Sequence, residues 1–498
     1  MSNIRVTYSG LIALAIGLTS VFTGILFTLI VTRKLTPEEF GIWSIIGSMI
    51  SYFLVVEPLI TYWSTRQIAR GEQVGKTSLL TSIIFSLGIL PGYVALAYFV
   101  YGTNHYFSSM ILASILLPLS LISLVIEGVN LGYKPHIISY GLLIFESLKI
   151  PVGLILVFFL GMGINGAIIA TIAAFLAKIA LQIYLARSRL TGKFIKDVVI
   201  RWMKLSWVPF YSRISGVWWS LDVMVYSIIT GSVIGVAYYA ASLTVSQIIG
   251  HAGLISQALY PKLLANGTHE HVKENFNRLM YFAILFLTVS TVFAKPALFA
   301  LNPAYASGAL IAIIFAWRTF FYVLTSTFYQ ILQGIDTTDL EKNLKFAQIK
   351  KSKLFVVPTL QNIHYGTYIV VLSITLFILH SYGMKEISMV TWWVTIALIL
   401  QIPFLIYSGI ILRKNIPFSV SITNMIKYGG GACSFVVVYL LTSPFLLHYE
   451  IKFYDFLPSL IIELLICVGA FFIVTYLIDK NTRILFKSIL KEFIGNKQ

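Results

Sequence analysis

Nine charged side chains stand inside long apolar stretches of this chain: Lys149, Lys178, Arg213 and Arg318, and Glu57, Glu127, Glu146, Asp222 and Glu463. A charge at the centre of such a stretch costs about 2.5–3.5 kcal/mol if the surroundings are lipid. Each one therefore needs a partner, a wet cavity or a route to water. Fixed cations suit a phosphate or diphosphate, where Arg offers a two-pronged fork and Lys a point charge. Lys149, Lys178, Arg213 and Arg318 are thus candidate substrate-binding residues for an anionic group. Carboxylates suit a proton or a small cation, so Asp222, Glu57 and Glu146 are candidate ion-coupling residues. Glu127 and Glu463 lie close enough to helix ends to be expected to reach water, and Lys178 and Arg213 to do so in part.

Spacing sorts these residues further. Glu146 and Lys149 are three apart, share a helix face and can neutralise each other. Arg213 and Asp222 are nine apart, two and a half helical turns, and point to opposite sides. Asp222 sits in SGVWWSLDVMVYSII (215–229), with Trp218 and Tyr226 four residues to either side on its face. A carboxylate framed by rings in an apolar span reads as an ion or proton site; the alternative is a carboxylate bonded to a neighbouring helix. Lys149 and Arg318 fall near mid-span. Sugars pack on aromatic faces, which Trp218, Trp219, Tyr226, Trp317 and Tyr322 can supply, although packing between helices uses the same rings.

No catalytic or metal constellation accompanies these charges. The sequence has no H-E-x-x-H, C-x-x-C, nucleotide loop or G-x-S-x-G. GMGING (161–166) matches G-x-G-x-x-G but lies between two apolar runs, without the strand that motif requires. Asn266 in NGT falls on the inner side of the topology below. Cys433 and Cys467 lie in apolar runs with no metal spacing. No metal and no cofactor are expected beyond a coupling Na+ or H+, and no enzyme.

The elements that must hold these residues are membrane helices. The chain has 498 residues, is 58% hydrophobic and only 11% charged, and has a mean hydropathy of +0.87. A soluble domain carries about 25% charged residues. Taking about 20 apolar residues per crossing gives fourteen spans: 9–32, 41–62, 78–101, 108–131, 137–160, 165–187, 206–230, 235–261, 279–301, 307–333, 357–380, 388–412, 428–447 and 457–478. The first is too long for the core of a cleaved signal and is expected to be retained. The eleventh is diluted at its start by LQNIHYGT.

Placing the N-terminus inside puts 27 of the 36 Lys and Arg in inner segments, 5 in outer segments and 4 within spans. That asymmetry predicts cytoplasmic termini. It also accounts for the net charge of +17 without nucleic acid, because the charge is spread over many loops. Three inner segments read as basic amphipathic helices on the inner leaflet: 187–207, HVKENFNRLM (271–280) and the tail TRILFKSILKEFIGNK. The one sizeable polar stretch, GIDTTDLEKNLKFAQIKKSKL, is too small for a catalytic domain.

A weak repeat relates VTRKLTPEEFGIW after the first span to ITGSVIGVAYY after the seventh. Gly41 and Gly235 are 194 residues and six spans apart, followed by Trp43 and Tyr238. An even-numbered unit repeats in parallel. The expected division is 1–187 (spans 1–6), a linker at 188–205, 206–412 (spans 7–12), 413–478 (spans 13–14) and a cytoplasmic tail, 479–498.

With RKLTPEEFGIW, STRQIARGE and SLDVMVYSIITGSVIGVAYYAASL, this layout resembles the multidrug/oligosaccharidyl-lipid/polysaccharide (MOP) exporter superfamily, and within it the O-antigen-type flippases of polysaccharide biosynthesis. The resemblance implies an all-α polytopic fold. It also implies transport of a lipid-linked oligosaccharide from inner to outer leaflet by alternating access, with the polyprenyl tail remaining in lipid. Related flippases of cell-wall precursors carry an acidic residue of a sodium site on helix 7, the position Asp222 matches. Asn362, Thr367 and Thr395 are candidate partners on the eleventh and twelfth spans. The cationic cluster that family carries early in helix 1 has no counterpart past Arg5. The implied partners are a lipid-linked glycan, membrane lipids and glycan-assembly enzymes, with a monomer expected in the cell membrane. A drug-cation antiporter of the same superfamily and a non-transporting scaffold of a glycan-assembly complex are the competing readings. Four buried cations favour the flippase, because a cation exporter needs an acidic cavity. No outer loop is long enough for a glycosyltransferase or polymerase.

Overall fold

A computed structural model of the chain describes residues 23–24, 27–69, 71–102, 105–134, 136–204, 206–253, 269–336, 350, 352–416, 421–480 and 482–484. Most of the first span, the end of the eighth, Asn266, most of the polar stretch after the tenth and nearly all of the C-terminal tail lie outside them. The described residues are almost all helical, with no strand among them, as expected of an all-α membrane protein.

The helices are α1 (Pro37–Phe53, extended by a 3-10 turn to Val56), α2 (Pro58–Ala69), α3 (Gly75–Tyr101), α4 (Phe107–Ala113), α5 (Leu116–Tyr133), α6 (His136–Gly153, continued by a π turn to Phe159), α7 (Gly163–Ala186), α8 (Lys196–Lys204), α9 (Trp207–Thr230), α10 (Ile234–Ser246), α11 (His269–Val292), α12 (Ala294–Leu301), α13 (Ala309–Gly334), α14 (Lys353–Ser381), α15 (Glu386–Asn415), α16 (Ile422–Leu446) and α17 (Phe453–Ile478). Ten segments among the described residues are long and apolar enough to cross a membrane, or eleven if the bent pair α11–α12 is one crossing. They fall on eleven of the fourteen expected spans.

Prolines explain where expected spans break. The second is interrupted at Glu57, because Pro58 has no N–H to donate to the Leu54 carbonyl, which accepts from Glu57 N at 3.0 Å in a 3-10 turn instead. The ninth bends by 67° between Val292 and Ala294; Pro296 leaves the Val292 carbonyl without its helical donor. The eighth is not one continuous α-helix: α10 stops at Ser246 and passes into a 3-10 turn, Gln247–Gly253. HVKENFNRLM is not a separate surface helix. It forms the first turns of α11, with Val272, Phe276 and Leu279 buried. Within the 187–207 segment α8 is the α-helix that precedes α9, and Trp202 is buried with its indole N–H donating to Gln67 Oε1 at 2.9 Å.

Two short motifs set helix starts. In LTPEE, Thr36 Oγ1 accepts from Glu39 N at 3.2 Å and Glu39 Oε2 accepts from Thr36 N at 3.0 Å, a reciprocal cap with Pro37 opening α1. GMGING forms the turn after α6 and the first residues of α7, with Gly161 and Gly163 at positive φ.

By packing, the chain divides into two compact units. The first comprises residues 1–237 with Tyr365–Tyr382; the second comprises Tyr238–His364 with Gly383–Gln498. The first contains a core of Ile60, Ile68, Leu121, Val125, Val129 and Trp202. The second is built on a larger core running from Ile249 to Phe471.

Candidate functional site

In the first unit, Asp222 is 1% exposed. Its Oδ1 accepts from Val223 N at 2.7 Å, and its Oδ2 accepts from the Tyr368 hydroxyl of α14 at 2.9 Å. The ring of Tyr368 stacks on Trp219, centroids 5.4 Å apart, and the ring of Tyr365 lies tilted against the same indole at 5.7 Å. Tyr52 of α1 donates to the Ser220 carbonyl at 2.6 Å and lies within electrostatic reach of Asp222. Tyr101 of α3 hydrogen-bonds Ser227, one turn further along α9. The carboxylate is therefore framed by aromatic hydroxyls from α1 and α14. Tyr226 is fully buried and Trp218 is one of the exposed large side chains, while Trp219 stacks on the tyrosine that bonds Asp222. Thr367 neighbours Tyr368 in the first unit, while Asn362 and Thr395 belong to the second, where Thr395 Oγ1 bonds the Thr391 carbonyl at 2.7 Å.

Three cations of the first unit meet carboxylates. Lys178 Nζ of α7 lies 2.6 Å from Glu127 Oε1 of α5. Arg213 of α9 lies 3.9 Å from Glu57, at the α1–α2 break, and Thr61 donates to the same Glu57. Lys149 Nζ sits 4.1 Å from the centroid of Phe27 and 5.1 Å from that of Phe145, and interacts electrostatically with Glu146. Glu146 also accepts from Thr23 and feels Lys178. The structure thus corrects two expectations. Lys178 does not reach for water but pairs with Glu127, which is itself held in the pair. Glu463, in the second unit, is 0% exposed rather than at a wet helix end, and accepts from Thr442 Oγ1 at 2.7 Å.

Arg318 belongs to the second unit and is 5% exposed on α13. Its guanidinium lies 5.1 Å from the Tyr322 centroid and acts electrostatically on His364, whose ring stacks on Phe404 at 4.3 Å. Trp317 and Tyr322 are exposed on the same helix. Three of the four candidate cations lie in the first unit and Arg318 in the second.

Solved structures share this architecture. An inward closed conformation of the lipid II flippase MurJ matches with a TM-score of 0.62 at 16% identity, over 96% of this chain and 100% of that one. The chain shares the fold of that structure. An inward-facing multidrug resistance MATE family transporter of the MOP superfamily matches with a TM-score of 0.56 at 13% identity, over 81% of this chain and 98% of that one. Its outward-facing counterpart matches with a TM-score of 0.52 at 12% identity, over 82% and 95%. No protein-family model and no curated protein matches the sequence. The residue sequence reasoning missed is Tyr368. Its signal was the aromatic run of α14 beside Thr367, which carried no hint of a partner 146 residues away.

Proposed function

We propose that the chain is a membrane transporter that moves a lipid-linked oligosaccharide, carried on a phosphate or diphosphate, from the inner to the outer leaflet by alternating access. The observation that carries this reading is the extent of the likeness to the lipid II flippase. It spans 96% of this chain, whereas the multidrug transporters stop near 82%. The four cations inside the spans support it, since an anionic headgroup needs fixed positive charge. Lys149, Lys178, Arg213 and Arg318 are the proposed headgroup residues. Asp222 is the proposed coupling residue for Na+ or H+, with Glu57 and Glu146 as further candidates. The host is the cell membrane, and both termini face the cytoplasm, a reading that the charge asymmetry of the loops supports.

Two experiments test this. In vesicles containing the purified protein, a fluorescent lipid-diphosphate oligosaccharide should move between leaflets, while organic cations should not be exported. Cation export without lipid movement would establish the drug antiporter instead. Single-cysteine labelling from outside, in a cysteine-free background, should miss positions 193 and 490 and reach position 383; labelling at 193 would invert the topology.

A further inference from the structure

The Lys178–Glu127 pair is built in a way that a purely structural staple does not need. The two residues come from different helices, α7 and α5, and meet at 2.6 Å with side-chain exposures of 11% and 23%. The carboxylate is thus the more accessible partner. Glu127 is six residues from the end of α5 at Tyr133, about 9 Å along the axis, and Lys178 eight from the end of α7 at Ala186, about 12 Å. Both measure from the side that carries Lys134, Arg187 and Arg189. A second ammonium shares an aromatic ring with the first. Lys149 Nζ and Lys178 Nζ lie 5.1 and 5.4 Å from the same Phe145 ring, and Phe175 packs edge-on against that ring at 4.9 Å. Glu146 acts on both lysines. The assembly is two ammonium groups about one phenyl ring, neutralised by two carboxylates of the protein itself.

We propose that Glu127 is a resident anion that the diphosphate headgroup displaces from Lys178. This rests on the flippase reading above and adds to it the step by which the headgroup is taken and given back. A phosphate group carries about 1.5–2 negative charges and three acceptor oxygens, against one charge on the carboxylate, so it competes well for an ammonium point charge. The displaced carboxylate has 23% of its side chain exposed and lies less than two turns from the helix end, and the diphosphate's contacts with Lys178 must offset the cost of leaving it without that cation. When the headgroup leaves, Glu127 returns to Lys178. The seat is then neutral again, and the substrate cannot rebind as readily. An unopposed pair of lysines would hold a diphosphate too tightly to turn over.

The competition has a measurable size. If the pair is closed about nine-tenths of the time, apparent headgroup affinity is lowered about tenfold. The probes are farnesyl diphosphate and farnesol, titrated into the purified full-length protein. Glu127→Gln should bind farnesyl diphosphate about tenfold tighter than wild type and leave farnesol unchanged. Glu127→Asp, which keeps the charge for folding but withdraws it by about one bond length, about 1.5 Å, should show a smaller gain in the same direction. Lys178→Gln in the Glu127→Gln background should abolish the gain. Farnesyl diphosphate binding that is unchanged or weaker in both Glu127 variants would overturn the exchange and make the pair a fixed staple, leaving the flippase reading intact. The same gain without Lys178 would place the anion seat elsewhere and overturn the inference. A wild type that does not prefer farnesyl diphosphate to farnesol would reject the flippase reading itself.

Discussion

The two units bury polarity in different ways. The first does it with opposite charges, Lys178 with Glu127 and Lys149 beside Glu146, while Arg213, whose side chain is 53% exposed, lies 3.9 Å from Glu57. Its remaining buried acid, Asp222, is held by the hydroxyl of Tyr368 and the amide of Val223. The second unit relies on neutral donors and rings. Gln401 Nε2 donates to Thr325 Oγ1 at 2.9 Å, Thr442 donates to Glu463, and Arg318 lies against Tyr322. Its clear ion pair, Lys427 with Asp479 at 3.1 Å, sits at the end of α17 rather than within it. The contrast teaches where charge can be exchanged. An ion pair can trade one partner for a substrate ion, whereas a carboxylate satisfied by a hydroxyl in an apolar helix pair has nothing to offer an anion.

Breaking one partner should expose that difference most strongly in the first unit. Lys178→Met strands Glu127 and should lower stability by about 3 kcal/mol, with most of the loss recovered in Lys178→Met/Glu127→Leu. Thermal unfolding in detergent reads both; a harmless single variant would remove the ion pair from the account. Next in size is Tyr368→Phe, which deletes a hydrogen bond to a buried carboxylate and should cost about 2 kcal/mol. The same variant should alter the ion dependence of transport, a change that simple loss of packing would not produce.

At the edge of the second unit, Asp479→Asn should cost about 1.5 kcal/mol at neutral pH. Burial alone would raise the carboxyl of Asp479, but the amide and hydroxyl of Thr482 and the Lys427 ammonium outweigh it and hold the group below the usual carboxylate range. A depressed folded value means that the contribution is present above about pH 4 and is lost as pH falls through the folded value. The gap between wild type and variant should therefore be constant from pH 7 to 5 and close only in stronger acid; a gap that closes near pH 6 would contradict this. Smallest is Glu463→Gln, below about 1 kcal/mol, because Thr442 still finds an oxygen. A loss as large as that of Lys178→Met would mean that the two units do not differ as described.

Much of the frame was legible in the sequence. The spans at 78–101, 137–160, 165–187, 388–412 and 457–478 coincide closely with α3, α6, α7, α15 and α17, because unbroken apolar runs leave the backbone no alternative in lipid. The repeat glycines were also telling. Gly41 faces the Val233 backbone and Gly235 the Tyr226 hydroxyl so closely that a Cβ at either would collide. Interruptions were harder, since Pro58 and Pro296 act on the turn before them and hydropathy averages over the break. For the site, residue type was readable and partnership was not. Helical spacing puts both i−4 and i−3 beside Asp222, and only the approach of α14 decides for Trp219 over Trp218. Likewise Glu127 and Glu463 looked able to reach water because distance to a helix end says nothing of the helix packed against it.

The account stands most directly on one measurement: the rate at which vesicles containing wild type, Asp222→Asn or Arg318→Ala move a lipid-diphosphate oligosaccharide across the bilayer, with and without a Na+ or H+ gradient. Wild type should respond to one of the gradients. Asp222→Asn should insert and fold yet lose that response, and Arg318→Ala should lose transport at every gradient. Wild-type vesicles that leave the glycolipid in its starting leaflet, or an Asp222→Asn protein as gradient-dependent as wild type, would contradict it.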